Sequence, residues 1–191
     1  MVPSRRATKR PARRPKQVDA AFVDRVALSY LDRFDATEAR LREVLLRRCR
    51  TTLRQAGPDE RPTEAELQDW IAEVVQRFVL SGILDDRRYA ENAAAGLRRR
   101  GASRRKIIVK LRLKGVPEVV IAEVLQTQND DNPGSELEAA VALAKRRRLG
   151  PFRRGEDSGP ERRRKDLAVL ARAGFSFEVA ARALAPSGEE F

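Results

Sequence analysis

The chain is predicted to be all-α, built from tandem three-helix repeats. Three observations carry this. Ala, Leu, Arg and Glu dominate the composition, and all favour helix. Apolar residues recur at three- and four-residue spacing in short segments that open on capping residues and close on Gly. The chain also repeats itself: a shift of 59 positions takes Lys106 to Lys165, Ile108 to Leu167, Leu111 to Leu170, Gly115 to Gly174, Val120 to Val179, Ala122 to Ala181 and Leu125 to Leu184. KIIVKLRLKGVPEVVIAEVL and KDLAVLARAGFSFEVAARAL are thus one helix–Gly–helix module used twice.

Residues 1–18 hold three Pro and seven Lys/Arg with almost no apolar content, and read as a disordered basic arm. Such an arm either holds phosphates or simply solubilises; the residues do not separate the two. Residues 19–80 form the first repeat. An amphipathic helix over 19–34 places Phe22, Val23, Val26, Ala27, Tyr30, Leu31 and Phe34 inward, and Asp35-Ala36 breaks it. Thr37 caps a second helix to about Arg48, with Leu41, Val44, Leu45 and Cys49 inward. Thr52–Pro62 is a loop punctuated by Gly57-Pro58. Thr63 and Glu66 make a capping box for a third helix to about Leu80, in which Trp70 is in phase with the apolar face and so belongs to the core.

The second repeat spans 81–127. Asp85 is its N-cap, and Asp86 favours the positive end of the helix dipole; capping explains this acidic pair better than a metal site does. Gly101 closes the first helix and Ser103 caps the second. In that helix Ile107, Ile108 and Leu111 form one apolar face while Val109 and Leu113 point to the other side, so it is expected to be sandwiched between neighbours. Gly115 closes it, and Val116-Pro117 turns into a third helix with Val120, Ile121, Val124 and Leu125 inward. Gln126–Gly134 reads as a polar linker, its core at 128–134. The third repeat, 135–185, opens on a second capping box at Ser135 and Glu138. Its middle helix runs from Arg162 to Ala173, after a loop from Gly150 to Glu161. Ser176 caps the last helix, and 186–191 are a tail.

The formal charge is +12, which points to an anionic partner; the first sixteen residues supply seven of those charges, leaving +5 for the rest. One cysteine, Cys49, excludes an internal disulfide, and its helical register with Leu41 and Leu45 makes it a buried thiol. There is no histidine, so the commonest general base and the commonest zinc ligand are absent. No apolar run is long enough to cross a membrane, and the basic N-terminus lacks the apolar stretch of a signal peptide; a cytoplasmic, reducing compartment fits. No phosphate loop, dinucleotide Gly motif, nucleophile elbow, zinc spacing or calcium loop occurs, so neither an enzyme nor a cofactor is expected.

Binding has more support. Between Arg98 and Lys114 lie nine basic residues and no acidic one: Arg98, Arg99, Arg100, Arg104, Arg105, Lys106, Lys110, Arg112 and Lys114. Lys145–Arg148 with Arg153 and Arg154, and Arg162–Lys165, hold related places in the third repeat. Stacked repeats would align these patches into one basic track. Few Asn, Gln or Ser residues accompany them to read base edges, so sequence-independent contacts to phosphate are expected.

Several segments resemble the RecX family of bacterial recombinase regulators. They are Tyr30-Leu31-Asp32-Arg33 with Thr37-Glu38-Ala39-Arg40-Leu41, then Gly82-Ile83-Leu84-Asp85-Asp86-Arg87-Arg88-Tyr89-Ala90, Arg100-Gly101 and Leu111-Arg112-Leu113-Lys114-Gly115-Val116, and finally Arg162-Arg163-Arg164-Lys165-Asp166-Leu167 with Arg172-Ala173-Gly174-Phe175-Ser176. The likeness spans about Phe22 to Leu184, and its most specific part is Leu-Asp-Asp followed by Tyr-Ala. It implies three tandem three-helix repeats in an elongated, curved molecule that binds the RecA–DNA filament, restrains ATP hydrolysis and strand exchange, and so regulates recombination and the SOS damage response; a monomer is expected. It transfers no catalytic residue. The rival reading is a general, nucleoid-type protein binding single- or double-stranded DNA without a RecA partner.

Overall fold

A computed structural model describes residues 17–54, 57, 61–154 and 159–185. Among them every regular element is helical. Helices α1 (Ala20–Leu31), α2 (Glu38–Leu53) and α3 (Glu64–Leu80) enclose one core, with Val23, Leu41, Leu45, Cys49, Leu67 and Val75 at its centre. Helices α4 (Asp86–Arg99), α5 (Arg104–Arg112) and α6 (Glu118–Asp131) enclose a second, around Ile107, Leu111, Ile121 and Leu125. Helices α7 (Ser135–Arg147), α8 (Pro160–Arg172) and α9 (Phe177–Ala183), with a 3-10 turn at Gly150–Phe152, enclose a third around Leu143, Leu170 and Leu184. Three separate apolar clusters along one chain are what a repeat architecture builds, because each three-helix unit buries its own stripes.

Most helix starts follow from local chemistry. The side chains of Asp19, Thr37, Asp85, Ser103 and Ser176 each accept the amide three residues on, and Thr63 with Glu66 completes both bonds of a capping box. Pro160 occupies the first turn of α8, where its missing N–H costs nothing. Burial pushes the Cys49 thiol up to about 11, so it is neutral at physiological pH.

Five sequence expectations are corrected. Val18 is buried in the first core, one residue before the Asp19 cap; it staples α1 and is no part of a disordered arm. Helix α1 stops at Leu31, so Phe34 lies past its end and is 55% exposed. Helix α5 is not sandwiched: its neighbours α4 and α6 share the Ile107–Leu111 stripe, leaving Val109 and Leu113 in solvent. Helix α6 continues through the supposed linker to Asp131, since polar residues at an exposed helix end pair along the helix, as Gln126 does with Asp130. Helix α7 is capped by Gly134 without a side-chain bond, because Glu136 is drawn to a neighbouring repeat and Asn132 donates to Glu138. Residues 1–16 of the basic arm, 186–191 of the tail, and parts of the loops at 52–62 and 150–161 lie outside the described residues.

Candidate nucleic-acid and partner interface

The middle helices α2, α5 and α8 meet end to end at two joints of the same construction. At the first, the Thr37 hydroxyl accepts the Arg40 amide, capping α2, and donates to the carbonyl of Lys114 at the end of α5 at 2.5 Å. The Glu38 amide donates to Asp86 at 2.9 Å. At the second, the Ser103 hydroxyl accepts the Lys106 amide, capping α5, and donates to the carbonyl of Ala173 at the end of α8 at 2.6 Å. The Arg104 amide donates to Glu136 at 3.0 Å. Thr37 and Ser103 are buried polar residues because each serves two helices at once. Each joint sets the positive end of one helix dipole against the negative end of another, and satisfies a terminal amide and a terminal carbonyl that would otherwise be orphaned.

Glycine is required where the helix ends touch. Gly115 and Gly174 have φ of +77° and +94°. A Cβ on Gly115 would collide with Ala39, and one on Gly174 would lie 2.7 Å from the Ser103 hydroxyl. The Gly match of the 59-residue shift therefore marks a contact between repeats as well as a chain reversal.

The three helices contribute 16, 9 and 13 residues, or roughly 55–60 Å of helix at 1.5 Å per residue. A crevice opens beside each joint. That at the first is lined by Arg40, Arg47, Arg48 and Lys114. Its counterpart is lined by Arg105, Lys106, Val109 and Arg172.

The nine candidate cations divide into two groups. Arg98 is largely buried and ion-paired with Glu136, Arg104 donates to the Leu125 carbonyl at 3.1 Å while its amide is held by Glu136, and Arg112 forms a two-pronged pair with Glu118. The Arg112 guanidinium holds the Glu118 carboxyl below the usual carboxylate range. All three are thus occupied within the fold, Arg98 in a largely buried pair and Arg112 in an exposed one. Arg99, Arg100, Arg105, Lys106, Lys110 and Lys114 are exposed, and among the described residues their side chains make no ion pair or hydrogen bond. In the third repeat Arg153 is similarly withdrawn: it donates to the buried Asp166, which also accepts the Gly150 amide.

Sequence reasoning passed over Arg47 and Arg48 of α2, of which Arg48 holds the place in the first repeat that Lys114 holds in the second. Aligning the caps Thr37 and Ser103 would have exposed the correspondence. It also passed over Glu136, whose role depends on a residue 32 positions away.

Comparison with known proteins agrees with this architecture. The family profile described as RecX, second three-helix domain, matches residues 85–125, which span α4 to the middle of α6. The chain is 40% identical to the regulatory protein RecX of Myxococcus xanthus over 171 residues, covering 90% of this chain and 88% of that protein. It is 34% identical to that of Agrobacterium fabrum over 164 residues, covering 86% and 82%. The crystal structure of RecX from Lactobacillus salivarius superposes with a TM-score of 0.64 at 20% identity, over 86% of this chain and 94% of that one. With likeness of this extent in sequence and fold, the chain belongs to the RecX family of regulatory proteins.

Proposed function

We propose that this protein regulates the RecA–DNA filament as a non-enzymatic binder, restraining ATP hydrolysis and strand exchange and thereby recombinational repair. The observation that carries the reading is the row of middle helices, which presents unengaged cations beside both joints. A surface that recurs from repeat to repeat suits a filament, whose subunits also recur, better than a single compact partner. Arg47, Arg48, Arg105, Lys106, Lys110 and Lys114 would contact phosphate or acidic protein surface without reading base identity. The repeats would bridge neighbouring subunits and so alter subunit exchange or obstruct duplex entry. Membership of a regulatory family supports the reading.

The test follows ATP hydrolysis by RecA of the same organism on single-stranded DNA, with this protein added at sub-stoichiometric and equimolar ratios. A parallel reaction uses the Arg105→Ala, Lys106→Ala, Lys110→Ala triple variant, which spares the structural Arg98, Arg104 and Arg112. Inhibition that the triple variant weakens supports filament binding through this surface. Inhibition at sub-stoichiometric ratios points to capping or remodelling, whereas inhibition only near equimolar points to groove occupancy. No effect on hydrolysis, together with salt-sensitive binding to bare duplex, would leave a general DNA-binding protein.

A further inference from the structure

The end of the row in the first repeat differs from the rest. Two connected clefts of about 540 Å³ and 430 Å³ run between α1 and α2 and on to the first joint. They share Tyr30, Phe34, Val44 and Arg48, and the second reaches Tyr89 and Lys114 of the next repeat. Both tyrosines of the chain therefore line one groove. Tyr30 and Phe34 lie with ring centroids 5.2 Å apart and planes tilted by 36°. Phe34 contributes little to the core, being more than half exposed past the end of α1. An aromatic ring held against a second ring, with its outer face in water, is a platform for another flat group.

The charge around this platform has one dominant sign. Arg25, Arg47, Arg48 and Lys114 line the groove, and among the described residues their side chains make no ion pair or hydrogen bond. Arg33 and Arg40 also line it but are engaged, Arg33 with Ser29 and Arg40 with Glu43. Asp35 is the one carboxylate in the lining. Nothing comparable exists at the second joint, whose crevice has cations and no aromatic ring.

We propose that the Tyr30–Phe34 groove binds a short run of unpaired nucleotides, a base stacking on Phe34 while Arg25, Arg47, Arg48 and Lys114 hold the flanking phosphates. Aromatic faces with cations along a groove are how single strands are bound without sequence preference, since every base has a π-face. An acidic peptide would satisfy the cations but would make no use of the exposed ring. A duplex keeps its bases stacked inside and would likewise leave Phe34 unused. The groove thus adds selectivity for single strands to a track that otherwise reads only charge.

The test needs no RecA, so its outcome is independent of the filament reading. Binding of the full chain is measured by fluorescence anisotropy to labelled oligothymidine, to an abasic strand of equal length, and to a duplex of equal length. Oligothymidine should bind the wild-type protein more tightly than the abasic strand does. Phe34→Ala should weaken oligothymidine binding about tenfold and leave the abasic strand and the duplex unchanged. Phe34→Trp should restore affinity, and its added fluorescence should be quenched by oligothymidine. Arg48→Gln should weaken all three ligands and lower the salt dependence. Equal wild-type affinity for the abasic strand, or no loss in Phe34→Ala, overturns the proposal. So does displacement by polyglutamate of the wild-type and Phe34→Ala complexes alike, which would assign the groove to an acidic peptide.

Discussion

The two joints share a design and differ in what surrounds it. Around the first, no pair of helices packs extensively from one repeat to the next; two hydrogen bonds, the touch of Gly115 on Ala39 and the Leu84 side chain make the connection. Around the second, α4 packs on α7, Gly101 lies against the α7 backbone, Arg98 pairs with Glu136 and Arg146 donates to the Arg100 carbonyl. Leu84 sharpens the contrast, for it stands at the threshold of α4 yet buries itself in the first core. A joint made of helix ends and one anchoring side chain can pivot, whereas one backed by a packed pair resists rotation. The second and third repeats should therefore move as one body, with the first swinging about Thr37. The groove proposed for unpaired nucleotides starts on the swinging side and crosses the joint to Tyr89 and Lys114.

The largest expected effect is at Glu136. Glu136→Ala strips Arg98 of its partner in a largely buried place and frees the Arg104 amide, and should cost about 2–3 kcal/mol in urea unfolding. Its counterpart Asp86→Ala should cost only about 1 kcal/mol. Equal losses would erase the distinction between the joints. Next come the glycines: Gly174→Ala and Gly115→Ala each force a side chain into positive φ and into a neighbour, for about 1–3 kcal/mol by the same assay. Ser103→Ala and Thr37→Ala remove a cap and leave a helix-end carbonyl without its donor, for about 1–2 kcal/mol.

The smallest effect is Asp86→Asn. Burial raises the Asp86 carboxyl above its ordinary value, outweighing the Glu38 amide that favours its ionised form. A carboxyl raised in the folded state favours folding while protonated, and that contribution is lost as pH rises through the raised value. Asparagine can still accept the Glu38 amide and carries no charge to desolvate. The variant should be as stable as the wild type or slightly more so at neutral pH. The difference between the two unfolding free energies, measured against pH, should close toward acid. A marked loss at neutral pH would mean that the charge itself holds the joint.

Much of the fold was legible because it is local. Caps at Thr37, Thr63, Asp85, Ser103 and Ser176 act over three residues, and the register that buries Cys49 acts over two turns. Elements were misjudged where polarity stood in for conformation, as in the polar end of α6, or where periodicity overran a helix end, as at Phe34. The candidate site was legible only as a concentration of charge. Nine basic residues in seventeen positions say nothing of which will be spent on Glu136, Glu118 or a backbone carbonyl and which remain for a partner.

The sequence by itself determined where the helices lie, most of their caps and their apolar faces, since each of these is written in neighbours three or four residues apart, and it showed the repetition as a shift of 59 positions. Tertiary structure alone decided the joints, the division of the cations and the aromatic groove. The Thr37 hydroxyl finds its acceptor 77 residues away and that of Ser103 finds its own 70 residues away. A hydroxyl that caps one helix gives no local sign of a second partner; only the approach of another helix end turns it into a link between repeats.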